Sequence, residues 1–532
     1  MKLDPLSYRT EDGIFLPREA APPLPHSDLY DMLVEGLQKN YSKDILICSK
    51  TGETMSGRQV LEESECVARA LYSRGLLSKG GMAAIVTPNC PRFAVWLMAI
   101  LRLRAVLTMA NPTYTEEEIA RQLLDSGSEI VLGWEGILEK VQGAARKVPG
   151  LRQVITLGQK GSLTLSDLIK EGRFLPPVPQ VKSHPDDVVL LPSSSGTTGV
   201  PKGVLITHRN MTHALVSMDL KTLLDLSPDD VVMVFLPLFH IYGCTLMAKT
   251  LQSGNRLVVM PHFDFVEMLT AIQEHHVTLL PLVPPVALVL SHHPVVDNFN
   301  LRSLRKIVSG AAPLSGELQM KVERRLKVPG YGMTEGPLAC LLTPVDKTKP
   351  GSVGIVVPYF EVKLTNIETG KTELKEGELC IRGPQLMKGY LRREAETAAT
   401  IDSSGWLHTG DVGKVDEDGY FYIIDRIKEL IKHKGFQVAP AELEGLLLTH
   451  PEVIDAAVIG RPDTAAGELP TAFVVLKSGS NLKPNDIQSF VDKRVSSHKR
   501  LRGGVIITDA IPKSPSGKIL RRFLRSSLQS KL

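Results

Sequence analysis

Residues 191–203 read LPSSSGTTGVPKG, and they are entered from the apolar run VVLL at 188–191. GVLITHRN (203–210) leaves the loop and leads into a helical stretch. A short β-branched run closed by small polar residues and followed by a helical pattern is the signature of a strand, turn and helix in series. The cadence recurs outward in both directions. LRKIVSGAAPL (304–314) is a strand and a small-residue loop, with a helix expected to begin around Ser315. MAAIVTPNC (82–90) is a buried strand and turn, flanked by the amphipathic ECVARALYSRGL (65–76) and the mostly apolar helical RFAVWLMAILRLRAV (92–106). ITLG (155–158) and VVMVFLPLFH (231–240) add strands. Strands alternating with helices predict a large α/β region with parallel or mixed sheets.

The texture changes near residue 350. GSVGIVVPYFEVKLTNIETGKTELKEGELCIRG (351–383) alternates short strands with turns and predicts a compact β subdomain. After FYIIDRIKELIKHKG (421–435), the chain runs helix, strand, strand, helix, strand: AELEGLLLTHP, DAAVIG, TAFVVLKS, NDIQSFVDKRV, GVIITD. That is a small α+β domain, with the boundary expected between Asp425 and Lys428. The expected division is 1–425 and 426–532. No periodic repeat is present.

The 532 residues are too many for one growing core, consistent with at least two domains. A formal charge of +4 without a concentrated basic face argues against nucleic-acid binding. Six cysteines, at 48, 66, 90, 244, 340 and 380, have no metal-ligand spacing and read as free thiols in a reducing compartment. MKLDPLSYRTEDG lacks the apolar core of a signal peptide. The greasiest stretch, VTLLPLVPPVALVL (277–290), is short and holds three prolines, so it reads as a buried strand or loop and not as a membrane span. The last residues, Ser530, Lys531 and Leu532, match a receptor-read peroxisomal address behind the basic, exposed KILRRFLRSSLQ.

Chemistry concentrates in the loops. In 191–203, glycines let successive N–H groups converge on an anion, Ser193, Ser194, Ser195, Thr197 and Thr198 add hydroxyls, and Lys202 adds a mobile positive charge. The spacing fits neither a Walker A loop nor a dinucleotide fingerprint. Taken alone the loop is either a solvated connection or a phosphate cradle. GYGMTE (330–335) offers Tyr331 for stacking on a base, Thr334 for phosphate and Glu335 for Mg²⁺, a cation that takes oxygen ligands. GWLHTGD (405–411) ends in Asp411, an acceptor for ribose hydroxyls, and Arg426 adds a sugar or phosphate contact. SGAAP (309–313) can lay backbone against a planar ligand.

With these motifs in order, and with DRIKELIKHKGFQVAPAELE and PKSPSGK after them, the chain resembles the adenylate-forming enzymes: acyl-CoA synthetases, plant 4-coumarate–CoA ligases and beetle luciferases. The resemblance covers nearly the whole chain. It implies a large N-terminal adenylation domain with a small mobile C-terminal domain, and ATP, Mg²⁺ and coenzyme A as reactants or cofactors. A carboxylate would attack the α-phosphate of ATP, giving acyl-AMP and pyrophosphate, and a thiol would then displace AMP. The loop Ser193–Gly203, including Gly196 and Gly199, is then expected to wrap the β- and γ-phosphates through Lys202. Thr334 binds phosphate, Glu335 organises Mg²⁺, Asp411 with Arg426 holds the ribose, and Gly310, Ala311, Ala312, Pro313, Tyr331 and Gly332 line the adenine site. Lys518 reaches from the small domain during adenylation. The domain then turns about Lys428 and presents Lys432 and Gly435 for the thiol step.

The acid is expected beside His240, which the resemblance sets against the acyl tunnel. Here LPLFHIYG (236–243) reads as a strand delivering His240, Ile241, Tyr242 and Gly243 inward, with Gly310, Met333, Pro337 and Leu338 completing the wall. None of these is charged, so the acid's tail is expected to be apolar: a medium- or long-chain fatty acid first, an aryl acid second. Three departures from the family stand out. Pro329 replaces a common glutamine, GPLACLL after Glu335 is one residue short of the hydroxycinnamate-ligase form, and Ile241 replaces the second histidine of luciferases. The first two put a strict coumarate assignment in doubt and the third disfavours a luciferase-like oxygenation. A third reading, loading of a separate carrier protein, lacks a fused carrier domain. The peroxisomal tripeptide implies an import receptor as partner.

Overall fold

The computed structural model describes residues 7–24, 28–194, 202–219, 226–310, 314, 316–326, 332–333, 340–344, 347–434, 436–464, 466–513 and 519–529. Among them the expected alternation is present as two layered α/β sheets, an antiparallel β subdomain and a small α+β unit.

The first sheet is ordered Ser193–Ser194, Lys202–Thr207, Val188–Leu191, Val106–Met109, Met82–Val86, Ile130–Trp134, Gln153–Leu157. From Val188–Leu191 onward its pairings are parallel, as β-α-β connections require. Helices Arg92–Arg102, Glu116–Ser126 and Leu138–Arg146 lie between successive strands. Every residue from Phe93 to Leu101 is buried, which explains why that helix is apolar all round rather than along one stripe. The edge is antiparallel: Lys202–Thr207 pairs antiparallel with Val188–Leu191, and Ser193–Ser194 folds back on it, pairing Ser193 with Gly203 and Ser194 with Lys202.

The second sheet is ordered Lys306–Ser309, Leu279–Leu282, Val231–Val234, Arg256–Val259, Asp44–Cys48, Thr54–Ser56. Two readings are corrected here. The 277–290 stretch is a strand, Leu279–Leu282, followed by a helix, Pro284–His292, with proline at its start. Proline fits the first turn of a helix, where its missing N–H has no partner to lose. Likewise 231–240 is a strand only to Val234, and His240 does not lie on a strand. It is the N-cap of the helix Ile241–Ser253, its Nδ1 accepting the Tyr242 N–H at 3.3 Å.

The antiparallel sheet runs Ser7–Arg9, Phe15–Pro17, Glu361–Thr365, Glu376–Arg382, Leu407–Val415, Phe421–Arg426. Past it, IKELIKHKG holds the short strand Ile431–His433. That strand joins Phe436–Val438, Gly467–Leu476, Val453–Asp463 and Val505–Ile507 in a separate sheet. Two apolar clusters follow this division. One gathers residues from Phe15 to Phe421, and another gathers Ile431 to Val505. The cysteines are free thiols, and no helix among the described residues is long and apolar enough to cross a membrane.

Candidate functional site

Three groups of predicted residues are positioned by this architecture: one on a hairpin at a sheet edge, one on paired antiparallel strands and one at a helix start.

The first surrounds the opening loop. Ser193, Ser194 and Lys202 are described, whereas Ser195, Gly196, Thr197, Thr198 and Gly199 lie outside the described residues. The described ends form the two legs of a hairpin. Lys202 Nζ lies 3.3 Å from Glu396 and 5.2 Å from the centroid of the Tyr390 ring, with its side chain largely buried. Both partners come from a segment that sequence reading passed over. Gly389–Tyr390 pairs with the Lys202–Thr207 strand, and the Leu391 N–H donates to Gly203 O at 2.9 Å. The signal was KGYLRREAET, an aromatic and an acid after a glycine, but nothing local in it points to a lysine so far back in the chain.

The second group is Asp411 and Arg426. They sit directly opposite on antiparallel strands, with Arg426 Nε 3.2 Å from Asp411 Oδ1. Asp411 is buried and Arg426 half-buried. Arg426 places a cation against this buried carboxylate, which offsets the cost of burying it. The Ile427 N–H donates to Gly410 O at 2.8 Å, so Lys428 leaves directly from this pair.

The third group is the helix start at His240. Burial lowers the His240 pKa, which keeps the imidazole neutral near pH 7. Two residues on, Tyr242 is buried, its hydroxyl directed at Val308 O at 3.4 Å, and burial holds its phenol far above the usual range. Val308 belongs to the Lys306–Ser309 strand that ends at Gly310, and the Gly310 N–H donates to Leu282 O at 3.0 Å. The Tyr242 side chain thus links the helix that His240 caps to the strand that leads to Gly310. Gly243 has no room for a side chain, since a Cβ there would meet Pro237 O at 2.3 Å. Asn89 was missed by sequence reading. Its side chain donates to Leu236 O at 3.0 Å and accepts the Leu238 N–H at 2.8 Å, fixing the turn that leads to His240.

Other predicted residues are placed elsewhere or not at all. Lys432 is exposed on the Ile431–His433 strand, and its N–H donates to Glu468 at 2.8 Å within the small sheet. Gly332 and Met333 form a short strand paired with Leu341–Leu342. Ala311, Ala312, Pro313, Tyr331, Thr334, Glu335, Pro337, Leu338, Gly435, Lys518 and Ser530–Leu532 lie outside the described residues, and with Glu335 the expected Mg²⁺ ligand.

The junction after Arg426 is braced by charge. Asp425 accepts the Ala441 N–H at 2.8 Å, and burial raises its pKa. Arg521 bonds Glu444 at 2.7 Å, and Arg525 bonds Glu429 at 2.9 Å. The helix that follows the Lys518 segment is thereby tied to the residues just past Arg426.

These pieces agree with relationships that span the chain. The family model for AMP-binding enzymes matches residues 35–391, and that for the AMP-binding enzyme C-terminal domain matches 442–518. The chain is 42% identical to 4-coumarate–CoA ligase 5 of Oryza sativa subsp. japonica, over 94% of this chain and 95% of the relative. It is 41% identical to 4-coumarate–CoA ligase 1 of Solanum tuberosum, over 94% of each. Among solved structures it superposes on the anthranilate CoA ligase AuaEII in complex with anthranoyl-AMP (TM-score 0.88, 26% identity, 96% of this chain and 99% of that one). It also superposes on ATP-bound MatB from Rhodopseudomonas palustris (TM-score 0.85, 27% identity, 95% and 99%). The chain belongs to the AMP-binding enzymes, the adenylate-forming acid–thiol ligases, and has their large N-terminal domain and small C-terminal domain.

Proposed function

We propose that this protein is an ATP-dependent acid–CoA ligase acting on an apolar carboxylic acid, with aryl acids ahead of fatty acids. The carboxylate oxygen bonds to the α-phosphorus of ATP and pyrophosphate leaves. The thiol of coenzyme A then loses its proton, its sulfur bonds to the acyl carbon, and AMP leaves. Preorganised charge and donors carry most of such catalysis. Lys202 and the hairpin loop hold the outer phosphates, Asp411 with Arg426 holds the ribose, and Gly310 leads the adenine wall. Glu335 is the residue for Mg²⁺, which neutralises charge on the phosphates when bound. Lys518 serves adenylation, and Lys432 with Gly435 serves the thiol step. The small domain is taken to begin at Arg426.

The observation that carries the reading of the acid is the neutral character of the third group: His240, Tyr242 and Gly310 present no charge, so a tail with a second carboxylate would be buried unpaired. The coumarate and anthranilate ligases among the relatives favour an aromatic tail within that limit. The test is a mass-spectrometric screen for acyl-CoA across aryl and aliphatic acids. Aryl acids should give the highest turnover per KM. ATP–pyrophosphate exchange without acyl-CoA product would overturn the ligase reading in favour of a different acceptor. The tripeptide Ser530-Lys531-Leu532 is the basis for proposing a peroxisomal location and an import receptor as partner. A fluorescent fusion should be punctate with the tripeptide and diffuse without it, and equal distributions would remove that proposal.

A further inference from the structure

The ribose carboxylate of the site just proposed is delivered by a β-bulge, and one side chain outside the predicted set holds that bulge together. Across the strands Glu376–Arg382 and Leu407–Val415, Cys380 pairs with His408, yet Glu378 pairs with Val412. Leu379 alone therefore faces Thr409, Gly410 and Asp411. Surplus residues in a bulge lose their ladder partners and re-aim their side chains. Here the lost partners are replaced one by one. Thr409 Oγ1 donates to Leu379 O at 2.7 Å and accepts the Asp411 N–H at 3.0 Å. The Gly410 N–H, at a residue with φ of 72°, donates to Glu378 Oε1 at 3.1 Å. The other oxygen, Glu378 Oε2, bonds His408 Nδ1 at 2.8 Å, while Asp402 stands 3.6 Å from His408 Nε2. One carboxylate thus grips the residue before the bulge and the residue at its tip. Its side chain is only 15% exposed, so water is a poor substitute for these bonds.

We infer that Glu378 is a positioning residue for the nucleotide site: with His408 it fixes the bulge that aims Asp411 at the ribose. This rests on the ribose role proposed for Asp411, and it assigns Glu378 no contact with substrate. A residue acting this way should affect the part of affinity that comes from the ribose hydroxyls and spare the rest. Calorimetric titration of the full chain with AMP and with 2′,3′-dideoxy-AMP separates the two.

The wild type should bind AMP about tenfold more tightly than the dideoxy nucleotide, the scale of one or two hydrogen bonds to a charged group. Glu378→Ala should shrink that ratio to about threefold or less with little change in dideoxy-AMP affinity, and Glu378→Gln should restore most of it through its amide oxygen. Should the alanine variant fail to fold, His408→Ala releases one end of the same carboxylate and should at least halve the ratio. An unchanged ratio in the alanine variant, or in His408→Ala where the alanine variant does not fold, overturns the inference and leaves the ribose role of Asp411 standing. Equal affinities in the wild type overturn both.

Discussion

At the scale of single residues, the site depends on atoms with no room to move. Gly243 shows this most simply. Its neighbours Pro237 and Leu236 present carbonyl oxygens where a Cβ would go, at 2.3 and 3.1 Å, and these are backbone atoms that cannot swing aside. Gly243→Ala should destabilise the fold by about 1–3 kcal/mol, the cost of overpacking, and should raise KM for the acid more than KM for ATP because the displaced turn carries His240. Urea denaturation with steady-state kinetics checks both. A variant with wild-type stability and kinetics would mean that the 236–243 turn is softer than its contacts imply.

What the sequence exposes at this scale is candidates whose motifs are contiguous in the chain. Lys202 follows its own loop, Asp411 closes its own motif, and Gly310 ends its own strand. Asn89, Glu378, Tyr390 and Glu396 escaped notice because their meaning lies in partners distant along the chain, 147 residues for Asn89 with Leu236 and 30 for Glu378 with His408. Propensity and spacing carry no information about such pairs.

At the scale of elements, strands were legible where β-branched runs met turn residues, and helices where apolar positions recurred. Misreadings fell where one element passes directly into another. His240 was assigned to a strand because VVMVFLPLFH is apolar throughout, yet a helix cap follows from the side chain's hydrogen bond to a backbone N–H, which apolarity does not encode. The helix Pro440–Leu447 carries a different lesson. Its Glu444 is buried against Arg521 and accepts the Val458 N–H at 2.7 Å, and burial pushes its carboxyl from 4.5 up to about 7.

The folded state therefore holds a proton there that the unfolded chain has already released. That contribution to stability is complete below about 4.5 and is lost as pH rises through about 7. Asp425, also raised by burial, acts in the same direction. The unfolding midpoint of the wild type should carry a downward slope from this group between about pH 5 and 7, and Glu444→Gln, which cannot titrate, should show a shallower one. Thermal melts across that range measure it. An equal or steeper slope in the glutamine variant would remove Glu444 as its source.

At the scale of the whole molecule, the α/β body, the β subdomain and the α+β unit were all legible in outline, because each has its own periodicity. Their stacking was not, since sheet order depends on contacts between strands far apart in the chain. The proposed division of labour between the two ends of the small domain belongs here. Lys518→Ala should suppress acyl-AMP formation by about a hundredfold or more, as for loss of a charge used in the transition state, while leaving synthetic acyl-AMP usable with coenzyme A. Gly435→Leu should do the reverse. Separate assays of pyrophosphate exchange and of thioester formation from acyl-AMP decide the matter, and equal losses in both steps for both variants would dissolve the scheme.

The antiparallel sheet has a consequence for how the chain is made. Its first two strands, Ser7–Arg9 and Phe15–Pro17, join strands that begin at Glu361, and Ser7 Oγ donates to Gly419 O across 412 residues of sequence. During synthesis the opening strands leave the ribosome long before their neighbours exist. At about 5–20 residues per second they wait on the order of 20–80 seconds as an unpaired edge. The platform that carries Asp411 is therefore among the last parts of the large domain able to form.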